Sequence, residues 1–108
     1  DFVKELPDYA IELYTNKKMK TDADVAKKSL AEVRKVLANQ AEWTNEALFE
    51  SLKALAEQMG VKNGQVLYPA RIAVSGKETT PGGATEIAVV LGREETLRRI
   101  DYALAKLA

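Results

Sequence analysis

The chain has 108 residues, 46% of them apolar and 30% charged, the balance of a single soluble globular domain and not of a disordered chain. Sixteen basic residues balance sixteen acidic ones, which argues against bulk polyanion binding but leaves room for a site that reads a few nucleotides. There is no Cys and no His, so disulfide frameworks, thiolate metal sites and Ser/His or Cys/His nucleophile pairs are excluded.

Asp1 stands where an initiator Met would, and "DFVKELPD" reads as the start of a piece cut from a longer polypeptide. No signal or transit pattern opens the chain, and the longest aliphatic run, residues 87–91, is far too short for a membrane span. The lack of Cys fits the cytosol. The first structured stretch, "PDYAIELYT", is either a short helix beginning near Pro7 or an irregular segment that tucks Tyr9, Leu13 and Tyr14 into the core.

"NKKMK" follows, with Lys17, Lys18 and Lys20 together. Such a run is ordinarily a solvated face, and its functional reading is a patch that steers phosphates. "TDADVAKKSLAEVRKVLA" then predicts a helix with Thr21 as N-cap and Asp24 three residues on, close to a capping box. Val25, Ala26, Leu30, Val33 and Leu37 share one face of it. "TNEALFESLKALAEQMG" predicts a second helix capped by Thr44, striped by Leu48, Phe49, Leu52, Leu55, Ala56 and Met59, and closed by Gly60 with Val61 packing back. Trp43 and Phe49 read as core residues rather than as stacking platforms.

"GQVLYPARIAVSG" mixes strand formers with Pro69, and an otherwise helical chain has nothing for a lone strand to pair with. A helix with Pro69 near its first turns is the better expectation. In "TTPGG" Thr80 and Pro81 read as N-cap and first residue of a short helix whose apolar face is Ala84, Ile87, Ala88 and Leu91. Gly82 and Gly83 would then occupy its first turn, at roughly 1 kcal/mol each against Ala. Either they permit a tight turn or close packing, or their bare backbone receives a phosphate, a base edge or a carbonyl.

Arg71 sits among apolar neighbours. Its guanidinium is either paired internally with Glu78 or Glu86 or free to donate to a base edge or phosphate. "GREETLRRIDYALAKLA" predicts a last helix opened by Gly92 or Arg93, with Leu97, Ile100, Leu104 and Leu107 as its stripe. The acidic residues are scattered, with no paired-carboxylate or metal-ligand spacing, and no glycine-rich nucleotide motif occurs. The fold expected is all-α, a compact multi-helix bundle in one domain, residues 1–108.

The stretch "YPARIAVSGKETTPGGATEIAVVLGREETLRRI" resembles the C-terminal part of bacterial glutamyl-tRNA synthetases. The pattern runs P-x-R-x-A-x-x-G, a short loop, T-P-G, then a helix ending L-G-R-E-x-x-L-x-R-I. It is carried by Pro69, Arg71, Ala73, Gly76, Thr80, Pro81, Gly82, Leu91, Gly92, Arg93, Glu94, Leu97, Arg99 and Ile100. It is dense over about a third of the chain, with looser similarity in "KKMKT", "EWTNEAL" and "MGVKNGQVLYP".

The resemblance implies the last all-helical anticodon-binding subdomain of a class I aminoacyl-tRNA synthetase. The catalytic domain, which uses ATP and Mg to attach glutamate to tRNA, would lie N-terminal to Asp1. The family's two ATP-site signatures are absent, and "KKMK" lacks the serine of the second. No cofactor is expected in these residues. Carried over by position, the anticodon contacts fall on Arg71, Thr80, Pro81, Gly82, Gly83 and Ala84, with tRNA-Glu as the partner. Other members often have bulky apolar residues where Gly83 and Ala84 stand, so closer backbone approach would replace a side-chain contact here. The rival reading, a helical protein–protein interaction module without RNA binding, predicts that Arg71 is salt-bridged and that an exposed apolar patch lies elsewhere.

Overall fold

A computed structural model describes residues 3–108. Among them, a 3-10 turn Ile11–Tyr14 is followed by five α-helices: α1 Ala23–Ala38, α2 Asn45–Met59, α3 Asn63–Ser75, α4 Ala84–Leu91 and α5 Arg93–Leu107. The described residues contain no β-strand beyond an isolated bridge between Asn16 and Thr21, so the expected all-α class holds. Among the described residues no helix is long and apolar enough to cross a membrane.

The amphipathic helices turn their predicted stripes toward the core, except that Phe49 is exposed and Val25 half-buried. Leu30 and Val33 of α1, Leu48 and Leu52 of α2 and Ile100 of α5 all lie in the core. α3 differs: from Tyr68 to Ser75 every residue but Arg71 is buried, and α3 packs on all four other helices and on the 3-10 turn. A helix sheltered nearly all round belongs at the centre of a bundle, and here it is the spine on which the others lean.

Pro69 sits in the middle of that spine, not in its first turns. Proline has no N–H, so the carbonyl four residues back, on Gln65, loses its helical donor. The buried Ser29 hydroxyl of α1 donates to that carbonyl at 2.8 Å. The helix survives its proline because a neighbouring helix supplies the missing hydrogen bond.

Two predicted starts are displaced. Thr21 is not the cap of α1: its N–H and carbonyl close the bridge with Asn16 at 3.1 and 3.0 Å. Asp22 caps instead, its carboxylate accepting from the Val25 N–H at 2.9 Å. Nor do Thr80 and Pro81 open α4. The Thr80 hydroxyl donates to the Gly82 carbonyl, and the helix begins at Ala84 with Gly83 as N-cap. The Gly83 N–H donates to the Glu86 carboxylate at 3.2 Å, so Gly82 and Gly83 stand outside the helix and no helical cost arises there. Thr44 and Gly60 bound α2 as expected; Thr44 accepts from the Ala47 N–H at 3.2 Å, and Gly60 adopts φ 72° while Val61 N–H returns to Ala56 at 3.0 Å.

The N-terminal segment takes something from each alternative: residues 7–10 are irregular, and a single 3-10 turn, Ile11–Tyr14, follows instead of a helix from Pro7. Tyr9 and Tyr14 are buried with hydroxyls 2.8 Å apart, and the Tyr68 hydroxyl donates to the Leu13 carbonyl at 3.0 Å. Trp43 packs against the core, its indole N–H donating to the Ala88 carbonyl at 2.9 Å beneath the Arg93 guanidinium. That guanidinium also donates to the carbonyls of Leu37, Ala38 and Gln40, closing the C-terminal end of α1.

On α5, Glu95 accepts from both Arg98 and Arg99 at 2.7 Å. Those bonds, Arg98's foremost, hold its carboxyl at about 2, against an ordinary value of 4.5, despite partial burial that opposes them. A carboxyl depressed by folding contributes stability above its ordinary value, and that contribution is lost as pH falls through the folded one. The melting temperature is therefore expected to fall between pH 4.5 and about 2, and Glu95→Gln to flatten that step in a series of thermal melts.

Candidate nucleic-acid interface

Arg71 leaves the middle of α3 on its only unburied side between Tyr68 and Ser75. There it meets a cavity of about 460 Å³ between α2, α3 and the start of α4. Phe49 and Asn45 of α2 form one wall, Ala84, Thr85 and Glu86 another, and Met19 a third. Neither Glu78 nor Glu86 pairs with Arg71; among the described residues it has no ion pair, and its Nε is buried without a hydrogen-bond partner.

The rest of the wall is held in place by local bonding. The buried Thr85 hydroxyl donates to the Asn45 carboxamide oxygen at 2.6 Å, joining α4 to α2. Glu86 is engaged by the Gly83 N–H while lining the same space. At the far side, Gly64 lets Met19 come close: a Cβ there would lie 3.0 Å from the Met19 sulfur. Below Arg71, the buried Ser75 hydroxyl donates to the Arg71 carbonyl at 2.6 Å and accepts from Lys77 N–H at 3.1 Å, fixing the exit from α3.

Of the expected contact residues, Arg71, Gly83 and Ala84 come together in this cavity. Pro81 and Gly82 do not; they line an adjoining hollow of about 270 Å³ with Val3, Ile87 and Val90, on the other side of Glu86. Thr80 lines neither, its hydroxyl being committed to Gly82. A side chain at Gly82 or Gly83 would meet only ordinary contacts with Glu86, at 3.4 Å or beyond, so packing does not require glycine at either position.

Lys17, Lys18 and Lys20 are exposed on the turn that carries Met19. The turn is tied down by Asn16, whose side chain accepts from the Met19 N–H at 3.1 Å, and by Gln65, which donates to the Lys20 carbonyl at 3.0 Å. The lysine run is thus the outer edge of one cavity wall. Sequence reasoning missed Met19, Asn45, Phe49, Thr85 and Glu86. Phe49, read as core, is 39% exposed: it stands beside Leu48 at the edge of the α2 stripe, and that offset was its one visible signal.

Chemically, the cavity offers an unpaired guanidinium, a carboxylate, a carboxamide, an aromatic face and a flexible thioether. That set suits a flat group with both donors and acceptors on its edge.

A family model described as "Anticodon binding domain" matches residues 1–104. The chain is 48% identical over 107 residues to a glutamate–tRNA ligase of Clostridium tetani, covering 99% of this chain and 22% of that protein. It is 50% identical over the same length to a glutamate–tRNA ligase of Clostridium botulinum. The crystal structure of a glutamate tRNA ligase from Elizabethkingia meningosepticum superposes with a TM-score of 0.82 at 25% identity, covering 99% of this chain and 20% of that one. The chain thus spans about a fifth of the length of the relatives it matches. With nearly its whole length matched in sequence and in fold, the chain belongs to the anticodon-binding domain family.

Proposed function

We propose that this chain is the C-terminal, all-helical anticodon-reading subdomain of a glutamate–tRNA ligase, with the anticodon loop of tRNA-Glu as its ligand. The observation that carries the reading is Arg71, an unpaired guanidinium at an aromatic-walled cavity beside the start of α4. Anticodon bases are splayed and unstacked, so a few donors and one flat surface suffice to read them. Arg71 donates to a base edge, and Phe49 offers the face; base–aromatic stacking is worth roughly 1–3 kcal/mol. The Glu86 carboxylate in the same cavity disfavours a phosphate there and accepts from an exocyclic amine.

Thr80, Pro81, Gly82, Gly83 and Ala84 extend the contact, the glycines by letting a neighbouring nucleotide approach the backbone. Lys17, Lys18 and Lys20 steer the flanking phosphates. Glutamate attachment, with ATP and Mg, belongs to a catalytic domain N-terminal to Asp1. Among the described residues no cluster of three or more His, Cys, Asp or Glu is arranged to hold a metal ion. The interaction-module reading predicts a salt-bridged Arg71, and no such bridge forms among the described residues.

With no net charge, affinity for an isolated anticodon stem-loop is expected to be weaker than roughly 10 μM. An NMR amide titration with the tRNA-Glu stem-loop, against one with a changed anticodon, tests the reading. Shifts grouped at Arg71 and residues 80–84, and lost with the control, support it; shifts indifferent to anticodon sequence, or none, count against it. Replacing Lys17, Lys18 and Lys20 together by Ala is expected to weaken both RNAs equally, by about fivefold. It should also flatten the dependence of affinity on salt, measured by repeating the titration across NaCl concentrations.

A further inference from the structure

The N-terminal segment and the end of α3 meet at one buried guanidinium. Arg99 of α5 is fully buried. Its Nε pairs with Glu95 at 2.7 Å, Nη1 donates to the Val74 carbonyl at the end of α3 at 2.6 Å, and Nη2 donates to the Val3 carbonyl at 3.3 Å. Two further contacts join the same parts. Gly76, the C-cap of α3 at φ 71°, lies so near Pro7 that a Cβ would sit 2.9 Å from the Pro7 carbonyl oxygen. Val3 borders the hollow shared by Pro81 and Gly82. Residues 3–8 therefore underlie both ends of the loop 76–82, and Arg99 fastens them to α3.

We propose that Arg99 is a positioning residue for RNA reading: by locking segment 3–8 against the end of α3, it sets the place of the loop that carries Thr80, Pro81 and Gly82. The proposal rests on the reading of those three residues as RNA contacts. A guanidinium is suited to the task because its planar fork reaches acceptors on three elements at once. Lysine keeps the charge and the Glu95 pairing but presents a single nitrogen. A contact surface held in its bound geometry loses less entropy on binding, so loosening its floor weakens binding without touching the ligand.

The test is Arg99→Lys, read first by amide hydrogen exchange in the free chain and then by titration with the tRNA-Glu stem-loop. Exchange is expected to rise about tenfold together in segment 3–8 and in residues 77–83, with α1 and α2 unchanged. Affinity is expected to fall about fivefold with the salt dependence unaltered, because no phosphate contact is lost. Faster exchange in segment 3–8 alone, or wild-type affinity in the folded variant, overturns the proposal. Should Arg99→Lys not fold, Gly76→Ala opens the same joint from the α3 side with Arg99 intact, and it must produce the same paired changes. If the wild-type chain fails to bind the stem-loop, it is the RNA reading that fails, while the exchange measurement still decides whether Arg99 positions the loop.

Discussion

Replacing Arg71 by Ala is expected to weaken binding of the tRNA-Glu anticodon stem-loop about 30-fold, within the range of roughly 1–3 kcal/mol for a well-placed Arg–base contact. The melting temperature should stay within about 2 °C of the parent's, since substitutions that break no internal bond cost little. The separation follows from the geometry: among the described residues the guanidinium has no ion pair, and its Nε has no hydrogen-bond partner. Calorimetric titration beside a thermal melt reads both quantities. The reverse pattern, unchanged affinity with a lowered melting temperature, would make Arg71 a structural residue and sink the proposed function. Arg71→Lys is expected to recover only part of the loss, because an ammonium lacks the planar fork.

Ser29→Ala is expected to cost about 2 kcal/mol, the penalty for leaving a buried carbonyl without a donor. In a chain of this size that lowers the melting temperature by roughly 10 °C. The orphan is the Gln65 carbonyl, deprived of its helical donor by Pro69 and served by Ser29 from α1. A second substitution makes the account sharper. Pro69→Ala restores an N–H four residues after Gln65, so in the Ser29→Ala background it should recover stability, whereas in the parent it removes a packed ring for little return. A double-mutant cycle by chemical denaturation measures that coupling. Simple additivity would show that Ser29 and Pro69 act independently, contrary to the hydrogen bond between their helices.

What the sequence reveals and what it hides divides along physical lines. The stripes of α1, α2 and α5 are legible because a repeat of 3.6 residues needs only local information, and Thr44 and Gly60 are legible because caps are local too. Thr21 misleads because its backbone is claimed by Asn16, a partner across a turn, which leaves the cap to Asp22. Thr80 and Pro81 mislead similarly, since the Thr80 hydroxyl turns to Gly82 and the helix waits for Ala84.

Motif resemblance singles out Arg71, Thr80, Pro81, Gly82, Gly83 and Ala84, and of these Arg71, Gly83 and Ala84 line one cavity. Phe49 and Met19 are not found, because their membership depends on where α2 and the lysine turn settle against α3. Arg99 is visible as a motif letter, yet its burial among Glu95, Val74 and Val3 is set wholly by tertiary packing.

The central position of α3 also bears on how the site responds to heat. Elements that lean on one neighbour can open alone, but a helix packed against every other helix opens only when the whole bundle does. Arg71 is anchored to that helix, so its placement survives until the cooperative transition itself. The geometry around Arg71 should consequently not loosen gradually on warming; it should persist nearly unchanged and then vanish within the few degrees over which the fold is lost.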